Sequence, residues 1–564
     1  MWNMVNHSPN NNTIRLFVGH TYSGILGTHL FMLLQRLKRI IGKFQIIGAS
    51  ATVGNPKEFF KRLTGQEIVV IYCKDNVAKR PTIDILLVSP TIDKNDNYNV
   101  SGLVRDLVSN ENDHTLLVFR NSQLSSEYTF RVLSDELGKQ VEIHRGGLNK
   151  THRQNVESKL RDGEIKAVVC TSSLELGIDV GDISGVITPL VPINSLYQRI
   201  GRAGRRNRPA LAILELSNDV VSEYYIRHPK EYFTDVTPIT FETNNRRIIF
   251  DHLRLAKYER PFEKNEFREY DDILELIVKK ERREQEEKDS SEEQTTGTKN
   301  IPVFSLRTSE GSMEIKYFNK IIATRAFPYA FWEYFPEARR FIAGNKFKVV
   351  DVKKTTRFNR PHYVAQVERI VGEDYTVIRP IRLESYEFIG EPSPLNRLAK
   401  TEVLVGKGKI IYTIKGAETR QGRSKTSSKI HFSHYSYVHR TIILELTFED
   451  EIGLVVLHTL RHLLRAAVQM KLGLQSEYFF IQNSQMKKKL VLYDASEGGN
   501  GSILTIMKRV KYIFERMHQI IASCECSNPY GCPKCTFDLK CRNPKWDLDK
   551  EATINFLRKL RNNR

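Results

Sequence analysis

Two short stretches hold the side chains best suited to chemistry. Residues 524–541 read CECSNPYGCPKCTFDLKC, which places Cys524, Cys526, Cys532, Cys535 and Cys541 within one turn-rich segment. Thiolates are strong zinc ligands, and four of them close a tetrahedral shell. Five cysteines therefore compete for four places, and spacing alone does not name the spare one. A closed all-thiolate shell leaves no position for water, so the expected metal is a structural Zn2+.

The second stretch is SLYQRIGRAGRR at 195–206. Arg202 and Arg205 stand three apart in a glycine-rich turn. Planar guanidinium forks match phosphate oxygens and can spread the charge of a phosphoryl group in transfer. Gly201 and Gly204 allow the backbone to approach a ligand closely.

Both stretches need elements to hold them. Short apolar runs alternate with helical segments through TLLVF, the helix 122–137, VEIHR, the helix 149–161, AVVCT and ISGVIT. Such alternation predicts a parallel sheet covered by helices on both faces. One α/β lobe is expected over 77–235. Before it, FQIIG at 44–48 reads as a buried strand, and the run IVVIY at 68–72 is expected to be β-rich. Residues 27–40 predict a helix whose apolar face (Leu30, Leu33, Leu34, Leu37) needs a partner.

After the lobe, 236–300 is read as a helical segment (244–262) and a charged linker, since VKKERREQEEKDSSEEQTTGTKN lacks apolar periodicity. Residues 301–400 mix aromatic and β-branched residues and predict a β-rich accessory module. The basic stretch 407–440, with interleaved aromatics, predicts either a strand-gripping surface or a solvated hairpin face. In YDASEGGNGSI (493–503) a carboxylate beside glycines, Asp494, reads as a structural bend rather than an active site. The last region, 401–564, carries the cysteines.

The totals narrow the partner. The chain has 564 residues, a formal charge of +20 and seven cysteines. That charge favours a polyanion, with nucleic acid the usual one. No run of about 18 apolar residues is present to span a membrane, and the N-terminus lacks a signal-peptide layout, so a cytoplasmic location is expected.

The order of motifs then carries a resemblance. Ser50-Ala51-Thr52, TLLVFRNS, VEIHRGGL, VVCTSSLELGIDVGDISGVI and QRIGRAGRR resemble motifs III to VI of superfamily 2 DEAD/DEAH-box helicases. SATVGNPKEFFKRLTG and HRGGL resemble the Lhr/MrfA-like branch. YDASEGGNGSI, the following helix and the cysteines resemble the zinc-binding C-terminal domain of MrfA-type helicases, a repair-associated group.

The resemblance implies a RecA-like helicase lobe, the β-rich module and a small zinc-binding α/β C-terminal domain, on a protein using ATP with Mg2+ and acting on single-stranded or forked DNA. It implies Arg205 as arginine finger, Arg202 as a second γ-phosphate contact and Gln198 as support for that turn. Gly177 and Asp179 are implied nucleotide contacts, and Arg120, Asn121, Thr171 and Ser172 nucleic-acid contacts. Ser50 and Thr52 would couple nucleotide state to lobe movement.

One departure stands out. The family's Asp-Glu-x-His box, ahead of Thr-Tyr-Ser-Gly, aligns here with Phe17, Val18, Gly19 and His20. Neither apolar residue can ligate a hard cation, which takes oxygen, and the sequence has no Gly-x-x-x-x-Gly-Lys-Ser/Thr loop. Residues 1–76 are therefore read as the remnant of a first lobe. Either a separate chain supplies the missing part or the gene is split, truncated or started late, and little ATP hydrolysis is expected from this chain alone. The alternative is a non-catalytic nucleic-acid-binding scaffold derived from a helicase.

Overall fold

The computed structural model describes residues 5–8, 11–16, 19–50, 53–71, 82–89, 100–110, 115–175, 181–204, 208–234, 236–289, 306, 311–357, 360–371, 376–395, 401–421, 427–448, 452–473, 479–484, 489–538, 541 and 547–562. The chain begins with β1 (Val5–Ser8) and β2 (Asn11–Leu16), an antiparallel pair. Helix α1 (Gly24–Ile41) follows, then β3 (Gln45–Gly48), which runs parallel to β2 with Leu16 opposite Gly48. Helix α2 (Pro56–Thr64) closes this unit.

The apolar face of α1 is covered. Leu30 and Leu34 are buried with Phe59, Phe60, Leu63 and Phe241, and Leu33 and Leu37 pack at the edge. Its opposite side meets a later helix (Arg246–Glu259), with Ile25 and Met32 packed among Ile248, Ile249 and Leu253 and with the polar groups described below. The run at Ile68–Ile71 departs from expectation: it forms no strand, and Val69 and Ile71 are exposed. No described neighbour offers it a sheet edge, and β-propensity without cross-strand partners does not make a strand.

The lobe contains β4 (Ile83–Val88), α3 (Val100–Asn110), β5 (Leu116–Phe119), α4 (Gln123–Leu137), β6 (Val141–His144), α5 (Lys150–Arg161), β7 (Ala167–Cys170), β8 (Gly185–Pro189), α6 (Ile193–Ile200) and β9 (Ala210–Glu215). The six strands form one parallel sheet in the order β4-β9-β8-β5-β7-β6. Every residue of β5 and β7 is buried, which explains their continuous apolar runs. Helices cover both faces, as the alternation predicted.

Helices α7 (Val220–Arg227), α8 (Pro229–Thr234), α9 (Arg246–Glu259) and α10 (Asp271–Asp289) come next. The part of the charged stretch beyond 289 lies outside the described residues, apart from Leu306. The β-rich module follows: β10 (Ser312–Tyr317), β11 (Lys320–Ala326), α11 (Tyr329–Glu333), β12 (Arg339–Ile342), β13 (Asn345–Arg357) and β14 (Arg360–Arg369), a sheet ordered β11-β10-β14-β13-β12.

A second sheet holds β15 (Thr376–Phe388), β16 (Ser393–Pro394), β17 (Thr401–Gln421) and β18 (Ser427–Phe448), with β19 (Phe479–Ser484) and β20 (Lys489–Asp494) added after helix α12 (Leu454–Leu472). Helices α13 (Ser502–Lys508), α14 (Val510–Ala522) and α15 (Lys550–Asn562) finish the chain.

The β17–β18 hairpin is long because it serves two cores. Ile410, Tyr412 and Ile414 join the core of the β-rich module, whereas Val403, Leu444 and Leu446 join the helices around α12. Tyr412 is buried beside Trp332 and Tyr437, and His439 is buried against the Asp494 carbonyl. Tyr412 and His439 thereby belong to the core, and the side chains of 431–435 lie outside the described residues.

Candidate functional site

The carboxyl ends of β8, β5 and β7 lie side by side, which is where parallel α/β sheets gather ligand-binding loops. Their ends are locked to one another. Arg120 N–H donates to the Cys170 carbonyl at 2.7 Å, and Thr171 N–H reaches the His144 carbonyl at 3.4 Å. The loop after β7 then turns in a short 3-10 helix, Ser172–Leu174, leaving Ser172 exposed and Thr171 half-buried.

The anchor of the cluster is Arg199, which the sequence reading did not single out. It is buried on α6, and its guanidinium donates to Glu175 Oε1 (2.7 Å), Thr188 Oγ1 (2.7 Å) and Asn121 Oδ1 (3.1 Å). It also sits 4.9 Å from the centroid of the Phe119 ring. One side chain therefore ties together the loops after β5 and β7, the strand β8 and the helix leading into the arginine turn. The signal was present: an arginine on the apolar side of a short helix must find acceptors.

Gln198 and Arg202 sit at the far end of α6, both half-buried, and Arg202 Nε donates to the Gln198 carbonyl at 3.5 Å. Gly204 takes φ +69°, and its N–H donates to the Ile183 carbonyl at 3.1 Å, which folds the turn back onto the sheet. Arg205, Gly177, Asp179, Thr52, Phe17 and Val18 lie outside the described residues. Ser50 is half-buried after β3, and Gly19 N–H donates to the Ala49 carbonyl at 2.9 Å, so the Gly19–Thr21 turn stands beside the β3 end.

Arg120 requires a correction. Its guanidinium donates to Glu215 Oε2 (2.8 Å), Thr129 Oγ1 (2.8 Å) and the Phe119 carbonyl (3.0 Å), and the residue is buried. A guanidinium so engaged inside the lobe holds the end of β5; it does not reach a nucleic-acid backbone. Asn121 directs its amide oxygen to Arg199, which likewise makes it a brace of the cluster.

The HRGGL segment has a structural duty too. Arg145 is almost fully buried and pairs with Glu127 at 2.7 Å; Glu127 in turn accepts the N–H groups of Ala343 (3.0 Å) and Gly344 (3.2 Å). Thr324 N–H donates to the Gly147 carbonyl at 2.9 Å. The segment thus docks the lobe on the β-rich module. Beside it, burial pushes the His144 imidazole pKa down, and its ring nitrogens meet Ser173 Oγ and Glu157 Oε1, both at 2.9 Å.

Asp494 is a bend-former, as read from the sequence. It is fully buried, its carboxylate accepts the N–H groups of Ile503 (2.9 Å) and Asn500 (3.1 Å), and burial pushes its pKa up to about 7. Asn245 donates to the carbonyls of Glu497 and Gly499 (both 2.8 Å), fastening this bend to α9. A Cβ on Gly498 (φ +77°) would sit 2.4 Å from Asn245 Oδ1, so only glycine fits there.

In the cysteine cluster the geometry selects four of five. The sulfurs of Cys524, Cys526, Cys532 and Cys535 lie within 4.8 Å of one another, with separations of 3.5 Å (Cys524–Cys532) and 3.8 Å (Cys526–Cys535 and Cys532–Cys535). A tetrahedral zinc with Zn–S of about 2.3 Å requires S···S edges of about 3.8 Å. The four thiols fit zinc, and Cys541 is the spare. Lys550 Nζ donates to the carbonyls of Cys524 (2.6 Å) and Cys526 (2.7 Å), placing a cation where a four-thiolate zinc carries excess negative charge. In the metal-free state burial pushes the Cys532 thiol up to about 11 and raises Cys535 as well.

Residues 100–207 match the helicase conserved C-terminal domain, and residues 449–536 match the MrfA Zn-binding domain. The solved structure of the helicase MrfA bound to DNA superposes with a TM-score of 0.65 over 97% of this chain and 76% of that one, at 23% identity. This chain has the superfamily 2 helicase fold of the MrfA- and Lhr-like helicases. Part of the chain also matches sequence relatives. YprA of Bacillus subtilis, described as an uncharacterized ATP-dependent helicase, is 32% identical over 281 residues, covering 46% of this chain and 37% of YprA. MJ1574 of Methanocaldococcus jannaschii, described likewise, is 33% identical over 276 residues, covering 46% and 39%. The chain thus spans under two fifths of the length of either relative. No described helix is long and apolar enough to cross a membrane.

Proposed function

We propose that this chain supplies the second-lobe half of an ATP-driven DNA translocase of the MrfA-like kind, with the accessory and zinc-binding regions that follow it. Lobe 77–235, the helical segment and linker 236–300, module 301–400 and zinc domain 401–564 are the units of this reading. Residues 1–76 are its first-lobe portion. The observation that carries it is the convergence of the loops after β5 and β7 and the end of strand β8 on Arg199, beside the turn of Arg202.

In this reading Arg205 and Arg202 stabilise charge on the γ-phosphate of ATP, Gln198 supports their turn, and Gly177 and Asp179 face the nucleotide. Thr171 and Ser172 contact the DNA backbone, and the net charge of +20 draws DNA in from solution. Ser50 and Thr52 transmit nucleotide state. The donor set fits a phosphate. The box positions Phe17 and Val18 offer no side-chain oxygen to magnesium, so no step is assigned to Mg2+ here.

The test uses fluorescence anisotropy on single-stranded and forked DNA and ATP hydrolysis with a first lobe present. Salt-sensitive binding weakened by Ser172→Ala is expected. Arg205→Ala is expected to lower hydrolysis by about 10^3-fold while leaving DNA affinity nearly unchanged. Hydrolysis unaffected by Arg205→Ala sinks the assignment. DNA binding that ATP never alters points instead to a non-catalytic scaffold.

A further inference from the structure

The fifth cysteine is not idle. Cys541 is half-exposed, and its sulfur lies 3.1 Å from Nε2 of His458. His458 and His462 occupy successive turns of α12, four residues apart, so their rings share one helix face. Their ring centroids are 4.6 Å apart. One donor atom from each of His458, His462 and Cys541 falls within 4.8 Å of the other two. The four sulfurs of the cysteine cluster form a separate group.

The hydrogen bonds fix the chemistry of the two rings. Nδ1 of His458 faces the Asp547 carbonyl at 2.9 Å, and Nδ1 of His462 faces the Thr536 carbonyl at 2.8 Å. A carbonyl only accepts, so each Nδ1 carries a proton, and Nε2 is the nitrogen left on each ring to offer a lone pair to an ion. This is how metal-binding histidines are held: one nitrogen donates to a backbone oxygen while the other is presented to the ion. His462 is 4% exposed, and its buried Nε2 has no hydrogen-bond partner among the described residues. A buried acceptor left so costs about 1–3 kcal/mol, and a cation bound there removes that cost.

We propose that His458, His462 and Cys541 form a second zinc site, distinct from the four-cysteine site. Two imidazoles and a thiolate suit zinc over magnesium or calcium, which take oxygen. Nitrogen and sulfur ligands of one tetrahedral zinc stand about 3.3–3.6 Å apart, so closing the triad on the ion needs shifts on the order of 1 Å. With three protein ligands and a half-exposed sulfur, the fourth position belongs to water. Arg461 and Arg465 lie on the same helix, and Asp538 pairs with Arg465, which offsets part of their charge near the ion. The site fastens α12 to the segment that runs on from Cys535 through Thr536 to Cys541, so it would hold the cysteine knuckle against the helical core.

The experiment strips the full chain of metal and titrates it with Zn2+, then with Co2+ as a spectroscopic probe. Two equivalents of zinc per chain are expected by elemental analysis. The second cobalt equivalent is expected to add about one quarter of the thiolate-to-metal charge-transfer intensity of the first, because it has one sulfur rather than four. Cys541→Ser and His462→Ala are each expected to reduce the count to one while the circular dichroism of the folded chain is kept. Should His462→Ala fail to fold, Cys541→Ser, at a half-exposed position, decides. A wild-type chain that saturates at one equivalent overturns the proposal. So does a second equivalent that survives Cys541→Ser with its absorption unchanged.

Discussion

The strand-end cluster of the lobe and the cysteine cluster near the C-terminus both hold chemically active side chains in place, by opposite means. Around Arg199 the protein's own hydrogen bonds do all the positioning: a buried guanidinium meets three acceptors on two loops and a strand, and groups such as Ser172 stay at the surface. Around Cys535 the positioning groups are the ligands themselves, drawn into contact at distances that suit an ion. A site that must change partners during a cycle needs its scaffold to be complete without the ligand. A site that only needs to persist can let its ligand be the scaffold.

The largest effect should come from removing metal. Binding of a structural zinc contributes on the order of 10 kcal/mol to the folding of small domains. Chelation is therefore expected to raise amide hydrogen exchange steeply across 524–541 and α15, while the strands β5, β7 and β8 keep their protection. Equal loss of protection in both regions would break the contrast.

Next in size is Arg199→Ala. It leaves the half-buried Glu175 without its cation and releases two loops and the end of β8 at once, with an expected cost of roughly 2–4 kcal/mol in chemical denaturation. The change should leave the zinc content untouched. Arg199→Lys is expected to rescue only part of the loss, since an ammonium cannot reproduce the fork. A cost under about 1 kcal/mol, the surface-pair range, would remove Arg199 from its place as anchor.

The smallest effect is a pH dependence. Burial depresses the His144 pKa in the folded chain, so the unfolded chain takes up this proton first. The stability tied to the neutral ring is present above the ordinary histidine value of about 6.5 and is lost as pH falls through the lower folded value. Unfolding measured against pH should show this acid-side slope, and His144→Gln should flatten it. An unchanged slope in the variant would assign the effect elsewhere.

How much of this was legible in the sequence differs between the two regions. The lobe's strands declared themselves through uniform burial, and the arginine turn through residue types that few other structures would bring together. Arg199 was hidden because its partners, Asn121, Thr188 and Glu175, are remote in sequence and meet only when the sheet assembles. Arg120 misled for the same reason: its partner Glu215 lies at the end of β9. The cysteines announced a metal, yet only three dimensions could separate Cys541 from the other four, since its neighbours are histidines some 80 residues earlier. The face of α1 read as unpartnered because Phe241 and α9 lie some 200 residues downstream. There His252 and Glu259 also meet Arg36, with Arg36 Nη1 at 3.1 Å from His252 Nδ1.

The lobe and the helices of the zinc-binding region share one core, in which Leu196, Ile200, Val220 and Tyr225 pack with Leu457, Leu460, Leu464 and Ile513. Two bodies with a common interior have no hinge between them. Any rotation of the sheet β4-β9-β8-β5-β7-β6 must carry α12, α14 and the zinc knuckle through the same angle. Cys524 and Cys535 belong to that same interior, so a displacement of the arginine-turn helix is felt directly at the metal-binding sulfurs.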